Sequence, residues 1–535
     1  MIGPRGAKQT TGLVVVSEDE VRGKWAVPLA ILRTIGRFLR WVLMHPLDVA
    51  ALVGLGWLWV QYGWPAPAIA VGVVGLALTA WAVWKPAVFR RFALWPVISR
   101  FRHMWKYQVR WRPAMTLCKL DATYNHRQYL PALVWVSANR WVDRVTVRML
   151  MGQKPGHYTY RAEELARTFG VRECRISSAP PIAPDRTGRL AWLLRLLDRL
   201  RYRDHPDRVV LTLIKRDRLA KTVMPLEIPR VPNLKALPVA VREDGALYTL
   251  RLAGSHVLIA GATGSGKGSV IWSVIRALAG AVHDGWVQLW VIDPKGGMEL
   301  AFGRSLFHRF CYGEDDTADP DRKRSYEIAY AEFLEDLVTE MQGRQAKLRG
   351  VARDHTPSKD SPAVVVIIDE LASLTAYVID REAKKRIAAA LALLASQGRA
   401  VGIYLLAALQ DPRKEVLPFR DLFPTRIALR LVEDGQVDLV LGDGARERGA
   451  YADLIDATGQ EGVAYVVLDG MPEPVRLRFG WVTDDEIHRV AAWYAPGRRN
   501  TFAELAAMDG DQAVPGVIDS NTVEFPRPKF GDAGE

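Results

Sequence analysis

LYTLRLAGSHVLIAGATGSGKGSVIWSVIRAL, residues 247–278, sets apolar runs, a glycine-rich loop and an apolar helical pattern one after another. Within it, Gly261 to Lys267 meets the spacing G-x-x-x-x-G-K of a loop that wraps phosphate between a strand and a helix. Backbone amides of Gly264, Gly266 and Lys267, with the start of the following helix, can surround a β-phosphate, and the Lys267 ammonium can reach the β- and γ-oxygens. ATP and Mg²⁺ are the expected cofactors, and the expected contacts are Gly261, Ala262, Thr263, Gly264, Ser265, Gly266, Lys267, Gly268 and Ser269. One position departs from the pattern: Gly268 stands where a hydroxyl ordinarily meets magnesium. Ser269 follows it, but one helical step turns a side chain by about 100°, so Ser269 becomes a metal ligand only if the helix start shifts. A water in that ligand position is the alternative, because magnesium keeps waters readily.

A second apolar run ends in acid: AVVVIIDEL, 363–371. Asp369 is placed to hold Mg²⁺ through water and Glu370 to orient or deprotonate an attacking water, the two tasks that ATP hydrolysis needs beside the loop. VQLWVID (287–293), GIYLLAAL (402–409) and TRIALRL (425–431) read as further parallel strands, with helical patterns over 325–349 and 383–398 between them. This alternation argues an α/β fold with a doubly wound, mainly parallel sheet, its ligands at the C-terminal strand ends. Gln410 lies just past one such end, where an amide can sense a γ-phosphate.

The remainder of the 535-residue chain is 49% apolar with it, enough for several cores, which excludes wholesale disorder. Cys118, Cys174 and Cys311 are scattered without metal spacing and fit a reducing compartment. The net charge of +13 is uneven: residues 85–235 hold 31 Lys+Arg against 11 Asp+Glu, and those from 236 on hold 34 against 44. A polyanion bound by the acidic part must be met by local basic segments.

LDVAALVGLGWLWVQYGWPAPAIAVGVVGLALTAWAVW, 47–84, has Asp48 as its one charge and is split by Gly63-Trp64-Pro65-Ala66-Pro67. Each half spans roughly 26 Å as a helix, the short end of what crosses a bilayer. A two-helix transmembrane hairpin is expected. Arg33, Arg37 and Arg40 precede it and Lys85, Arg90 and Arg91 follow it, which places both termini in the cytoplasm of a multi-pass cell-membrane protein. No polar face argues a buried helical pair, and the run begins too late for a signal peptide. Residues 86–112 interleave arginines with aromatics. Lipid headgroups and nucleic acid both suit such a stretch, and adjacency to the hairpin favours lipid. Strand patterns at 142–150 and 208–216, and a helical pattern at 159–171 with Thr159 as its cap, predict a small basic α+β domain. The expected divisions are 1–46, a cytoplasmic segment with a basic amphipathic stretch; 47–84, the hairpin; 85–235, the basic domain; 236–497, the ATPase; and 498–535, a tail.

GATGSGKG, VIDPKGGMEL, EMQGRQAKL, VVVIIDELASL, GRAVGIYLLAALQDP, FPTRIALRL and the late GVAYVV with GWVTDDEI resemble, in this order and spacing, the FtsK/SpoIIIE family of hexameric double-stranded DNA translocases over about residues 236–490. The hairpin, basic domain and single motor most resemble actinobacterial plasmid and integrative-element transfer proteins of the TraSA type. The resemblance implies a RecA-like ATPase domain, a homo-hexamer, DNA and other transfer proteins as partners, and γ-phosphate sensing at Gln410. It also implies a trans-acting arginine at Arg399, with Arg426 as the second candidate. For DNA phosphates the candidates are Lys384, Lys385 and Arg386, which equally suit a solvated helix face. Two other functions use the same parts: an ATPase of type VII-like protein secretion, and a nucleotide-binding membrane scaffold with little turnover, to which Gly268 points.

Overall fold

In a computed structural model the structure describes residues 14–16, 46–177, 205–229, 231–313, 326–412, 420–468 and 471–497. The basic stretch of Arg33, Arg37 and Arg40, residues 178–204 and the C-terminal tail lie outside the described residues. Contacts divide the described residues into one unit up to Lys215 and a second from Arg216 onward.

In the first unit, helices α1 (Pro46–Tyr62) and α2 (Pro65–Trp84) flank a turn at Gly63, whose φ of +74° suits a residue without Cβ. The turn falls unevenly. It stops α1 after 17 residues, about 26 Å and short of a ~30 Å hydrocarbon core, while Pro65 starts an α2 of 20 residues with no buried side chain. Among the described residues α2 is the one helix long and apolar enough to cross a membrane, which corrects the expectation of two spans. A helical run over 86–117, interrupted by π-turns at Arg90–Leu94 and His103–Gln108, follows and ends by burying Tyr107, Trp111, Ala114 and Met115.

Strands β1 (Val14–Val16), β2 (Ala122–Tyr124) and β3 (Arg127–Leu130) form a small sheet in the order β1-β3-β2. Next come β4 (Ala132–Ala138), β5 (Val142–Arg148), helices α3 (Pro155–Tyr160) and α4 (Ala162–Phe169), β6 (Glu173–Ser177) and β7 (Arg208–Ile214), with an antiparallel sheet ordered β4-β5-β7-β6. The chain breaks between the two short helices at Arg161, so Thr159 caps nothing: its hydroxyl donates to the Pro155 carbonyl at 3.3 Å. Fully buried Asp143 accepts from Arg102 at 2.6 Å, Lys215 at 2.8 Å and the Tyr107 hydroxyl at 2.8 Å, which neutralises a carboxylate that burial would otherwise make costly.

The second unit is built on ten strands: β8 (Leu237–Arg242), β9 (Leu247–Leu250), β10 (Val257–Ala260), β11 (Val287–Ile292), β12 (Phe307–Cys311), β13 (Ala363–Ile368), β14 (Ile403–Leu409), β15 (Thr425–Ala428), β16 (Val463–Leu468) and β17 (Met471–Phe479). Their order is β12-β11-β13-β14-β10-β15-β16-β17-β8-β9. The pairings from β12 to β15 are parallel. From β15 onward the sheet turns antiparallel, so it is a large mixed sheet rather than a simple doubly wound one. Residues 247–278 therefore contain two strands with different fates. The first pairs back on β8 at the sheet edge through the tight turn at Gly245 (φ +82°), and the second, β10, lies at the centre.

Why β13 reads as one unbroken apolar run is visible in its packing: Val364, Val366 and Ile368 enter one core, Ala363, Val365 and Ile367 the other. A parallel strand covered on both faces needs no polar side. Helices α6 (Tyr326–Leu348) and α7 (Arg381–Gln397) cover the first face, and α5 (Lys267–His283) and α9 (Asp484–Trp493) the second, while α8 (Asp434–Leu441) follows β15. The chain just before β8 is anchored in this unit at residues 217–219. Leu219 is core, Arg478 donates to its carbonyl at 2.8 Å, and Arg476 holds Asp217 through two 3.0 Å bonds.

Candidate nucleotide and catalytic site

β10, β13 and β14 all point their C-terminal ends to one edge, and the loop after β10 is locked there by its neighbours. Gly261 N–H donates to the Leu409 carbonyl at 3.1 Å and Ala262 N–H to the Arg430 carbonyl at 2.8 Å. A Cβ on Gly261 would lie 2.8 Å from that of Leu429, and one on Gly266 would lie 2.5 Å from the Gly462 nitrogen. Gly266, at φ +95°, is also the N-cap of α5, so the loop turns into the helix through a conformation that L-residues avoid.

Lys267 begins α5, is 9% exposed, and donates to the Gly261 carbonyl at 2.8 Å. Burial depresses its pKa, and the nearby Glu370, Asp369 and Glu299 oppose that depression. Glu370 is 6% exposed. Its Oε1 accepts from the Ala372 and Gln410 amides at 3.4 Å each, and its Oε2 is buried with no hydrogen-bond partner among the described residues. Burial raises its pKa against those amides and the two lysines, the direction that makes a carboxylate a stronger proton acceptor. Gln410 reaches the loop as well, accepting from the Thr263 hydroxyl at 3.0 Å. The structure thus brings together Lys267, Asp369, Glu370, Gln410 and the loop.

Asp369 is met by a partner that the sequence reading assigned no role. Lys295 donates to its Oδ2 at 2.5 Å. Burial pulls the Lys295 pKa down, but the bond to Asp369 and the fields of Asp369, Glu370 and Glu299 outweigh it and hold the ammonium above its ordinary value. Fully buried Asp293 positions this stretch: it accepts from Lys295 N–H at 3.1 Å and from Glu299 and Leu300 N–H at 3.0 Å each. Arg430 was likewise missed; its guanidinium donates to the Thr263 carbonyl at 2.8 Å. The signal for Asp293, Lys295 and Glu299 was present, since VIDPKGGMEL follows an apolar strand at the ligand-bearing end of the sheet.

Other expected residues lie elsewhere. Arg399 precedes β14, whereas Gln410 follows it, so seven strand residues, about 20 Å of extended chain, separate them. Arg399 lines an open cleft of about 640 Å³ together with Gln345, Arg349, Arg353 and Asp354. Arg426 is near the same end, donating to the Phe423 carbonyl at 3.0 Å. Lys384 and Lys385 are exposed on α7, but Arg386 is committed to Glu335 through bonds of 2.8 and 2.6 Å, because α6 and α7 pack side by side.

The cradle fits a nucleotide triphosphate with a divalent cation: loop amides, a buried ammonium, two strand-end carboxylates, and orphaned buried oxygens at Ser265 Oγ and Glu370 Oε2. Among the described residues no group of three or more His, Cys, Asp or Glu is placed to hold a metal ion.

Residues 210–358, which include the loop and the Asp293–Glu299 stretch, match the FtsK/SpoIIIE family. The chain is 26% identical over 277 residues to the DNA translocase FtsK of Pseudomonas aeruginosa, covering 47% of this chain and 32% of that one. It is 29% identical over 256 residues to DNA translocase FtsK 2 of Ralstonia nicotianae, covering 44% and 31%. It is 26% identical over 391 residues to DNA translocase SftA of Bacillus subtilis, covering 70% and 36%. The chain spans about a third of the length of these relatives. Among solved structures, the pCW3 conjugation coupling protein TcpA matches with a TM-score of 0.42 at 18% identity, covering 72% of this chain and 98% of that one. The cytoplasmic domain of the Thermomonospora curvata type VII secretion ATPase EccC matches with a TM-score of 0.39 at 21% identity, covering 52% and 33%. The match to the FtsK/SpoIIIE family thus lies around the phosphate cradle, and the three relatives above are DNA translocases by name.

Proposed function

We propose that this chain is an ATP-hydrolysing motor that moves double-stranded DNA and is anchored to a membrane by the Pro65–Trp84 helix. The observation that carries the reading is the convergence of Lys267, Asp369, Glu370 and Gln410 at the ends of three neighbouring parallel strands. The loop amides and Lys267 bind the phosphates. Glu370, its free Oε2 buried, takes the proton of the attacking water, and Gln410 links the loop to that base. Asp369 would hold Mg²⁺, which when bound would supply charge neutralisation for phosphoryl transfer. Arg399, far from its own cradle, serves a neighbouring copy in a ring. Exposed Lys384 and Lys385 meet DNA phosphates. The apolar helix, the intermediate α+β unit with its basic sequence and the single motor support a role in conjugative transfer of a plasmid or integrative element, alongside other transfer proteins.

The test is ATP turnover by the full-length protein in detergent micelles, with and without duplex DNA at low salt. Duplex DNA is expected to stimulate turnover, and Glu370→Gln to abolish it. No stimulation refutes the DNA motor, and stimulation by a polypeptide instead moves the chain to protein secretion.

A further inference from the structure

The glycine at 268 leaves open what completes the cation site, and the structure offers one oxygen. Outside its chain neighbours and its own helix turn, a Cβ built on Gly268 meets one heavy atom within 4 Å among the described residues, the Oε2 of Glu299, at 3.7 Å. A serine there would extend its hydroxyl by one further bond into the same space. Glu299 is exposed, yet its backbone is pinned through its N–H to fully buried Asp293. Two further features fit the surroundings to a cation. Glu370, more than nine-tenths buried, holds an unpartnered Oε2, and both Glu370 and Glu299 act electrostatically on Lys267 and on Lys295. An ammonium, that of Lys295, is bonded at 2.5 Å to Asp369.

Resting on the nucleotide-binding reading above, we propose that Glu299 supplies through Oε2 the protein oxygen that Gly268 cannot, so that Asp369 and Glu299 flank the divalent cation. A hard cation of this kind is commonly held by one or two carboxylates together with phosphate oxygens. Exchanging a neutral hydroxyl for a carboxylate adds a negative charge beside the nucleotide phosphates, and Lys295 is the positive charge placed to offset it.

The experiment is an electron paramagnetic resonance titration of Mn²⁺ into full-length protein saturated with ATPγS. It is run for the wild type, Glu299→Gln and Glu299→Gln/Gly268→Ser, with ATPγS affinity in EDTA measured separately. Glu299→Gln is expected to weaken Mn²⁺ binding by about tenfold or more, to leave affinity in EDTA unchanged, and to recover Mn²⁺ binding when Gly268→Ser is added. Mn²⁺ affinity equal to wild type in Glu299→Gln overturns the proposal. If Glu299→Gln also loses ATPγS binding in EDTA, Gly268→Ser alone decides. A hydroxyl added beside a working Glu299 changes Mn²⁺ affinity by no more than about twofold, and a gain of about tenfold shows that the position lacked a ligand and overturns the proposal. A wild type that binds no ATPγS under either condition overturns the nucleotide reading itself and this proposal with it.

Discussion

Replacing Gly266 by alanine separates two costs that a glycine in a phosphate loop can conceal. At φ +95° the new Cβ forces an L-residue into a sparsely populated region, which costs on the order of 1–3 kcal/mol. The same Cβ would stand 2.5 Å from the nitrogen and 3.0 Å from the Cα of Gly462. Gly462 cannot easily retreat: its N–H donates to the Ser265 carbonyl at 2.9 Å, its carbonyl accepts from Phe479 N–H at 2.9 Å, and its own φ is +78°. Overpacking against fixed backbone adds about 1–3 kcal/mol. Gly264 is the control, since its φ is +73° but a Cβ there meets nothing within 4 Å. Gly264→Ala should carry the backbone cost alone, roughly 1–2 kcal/mol. Where these costs are relieved by distorting the loop, they appear in nucleotide affinity, at tenfold per 1.4 kcal/mol. Titration of a fluorescent ATP analogue should therefore show Gly266→Ala about tenfold or more weaker than Gly264→Ala. Equal affinities for the two variants would refute the argument that the Gly462 backbone dictates glycine at 266.

Glu370→Gln should lower ATP turnover by about 10²–10⁴-fold while keeping nucleotide affinity, measured by steady-state hydrolysis and analogue binding. Because the folded pKa of Glu370 is raised, its ionisation destabilises the fold as pH rises through that value. The variant should therefore melt higher than the wild type at neutral pH, with the gap closing once pH falls below the unfolded carboxylate range. The same shift puts the acid limb of the wild-type rate profile above the ordinary Glu range. Arg399→Ala and Lys267→Ala, each inactive alone, should recover activity when mixed before assembly, because about a quarter of interfaces at equal mixing pair an intact cradle with an intact arginine. Lys384→Ala/Lys385→Ala should reduce the slope of log affinity for duplex DNA against log salt by about 2, whereas Arg386→Ala, its guanidinium already held by Glu335, should leave that slope unchanged.

The phosphate loop and its acidic partner were legible because each is written locally: a switch from strand to helix around fixed glycines, and an apolar run ending in Asp369 and Glu370. β11, β13 and β14 were equally plain, since burial on both faces leaves an uninterrupted apolar signature. The antiparallel half of the sheet was harder. β8 and β9 are joined by a short turn and carry partly exposed faces, so nothing in 247–250 distinguishes an edge strand from the start of the central one. VIDPKGGMEL placed Lys295 and Glu299 at the ligand-bearing end of the sheet, but the approach of Lys295 to Asp369 and of Glu299 to Gly268 is tertiary, made once Asp293 folds their loop, and spacing along the chain does not encode it. Arg386 looked free because Glu335 lies on another helix. Thr159 looked like a cap because the helix break at Arg161 depends on the chain around it rather than on any glycine or proline there.

The separation of Arg399 from the cradle along β14 gives the subunit a polarity. On the proposed role of Arg399, one end of the sheet is a socket and the other a plug, and no twofold dimer can use the same patch from both partners to fill a socket. Two copies joined head to tail complete one site and leave another bare, so only a closed cycle satisfies every member. Activity per subunit should then climb steeply with concentration. A subunit lacking its plug would silence its neighbour while keeping its own socket intact, and damage would be felt one place along from where it was made.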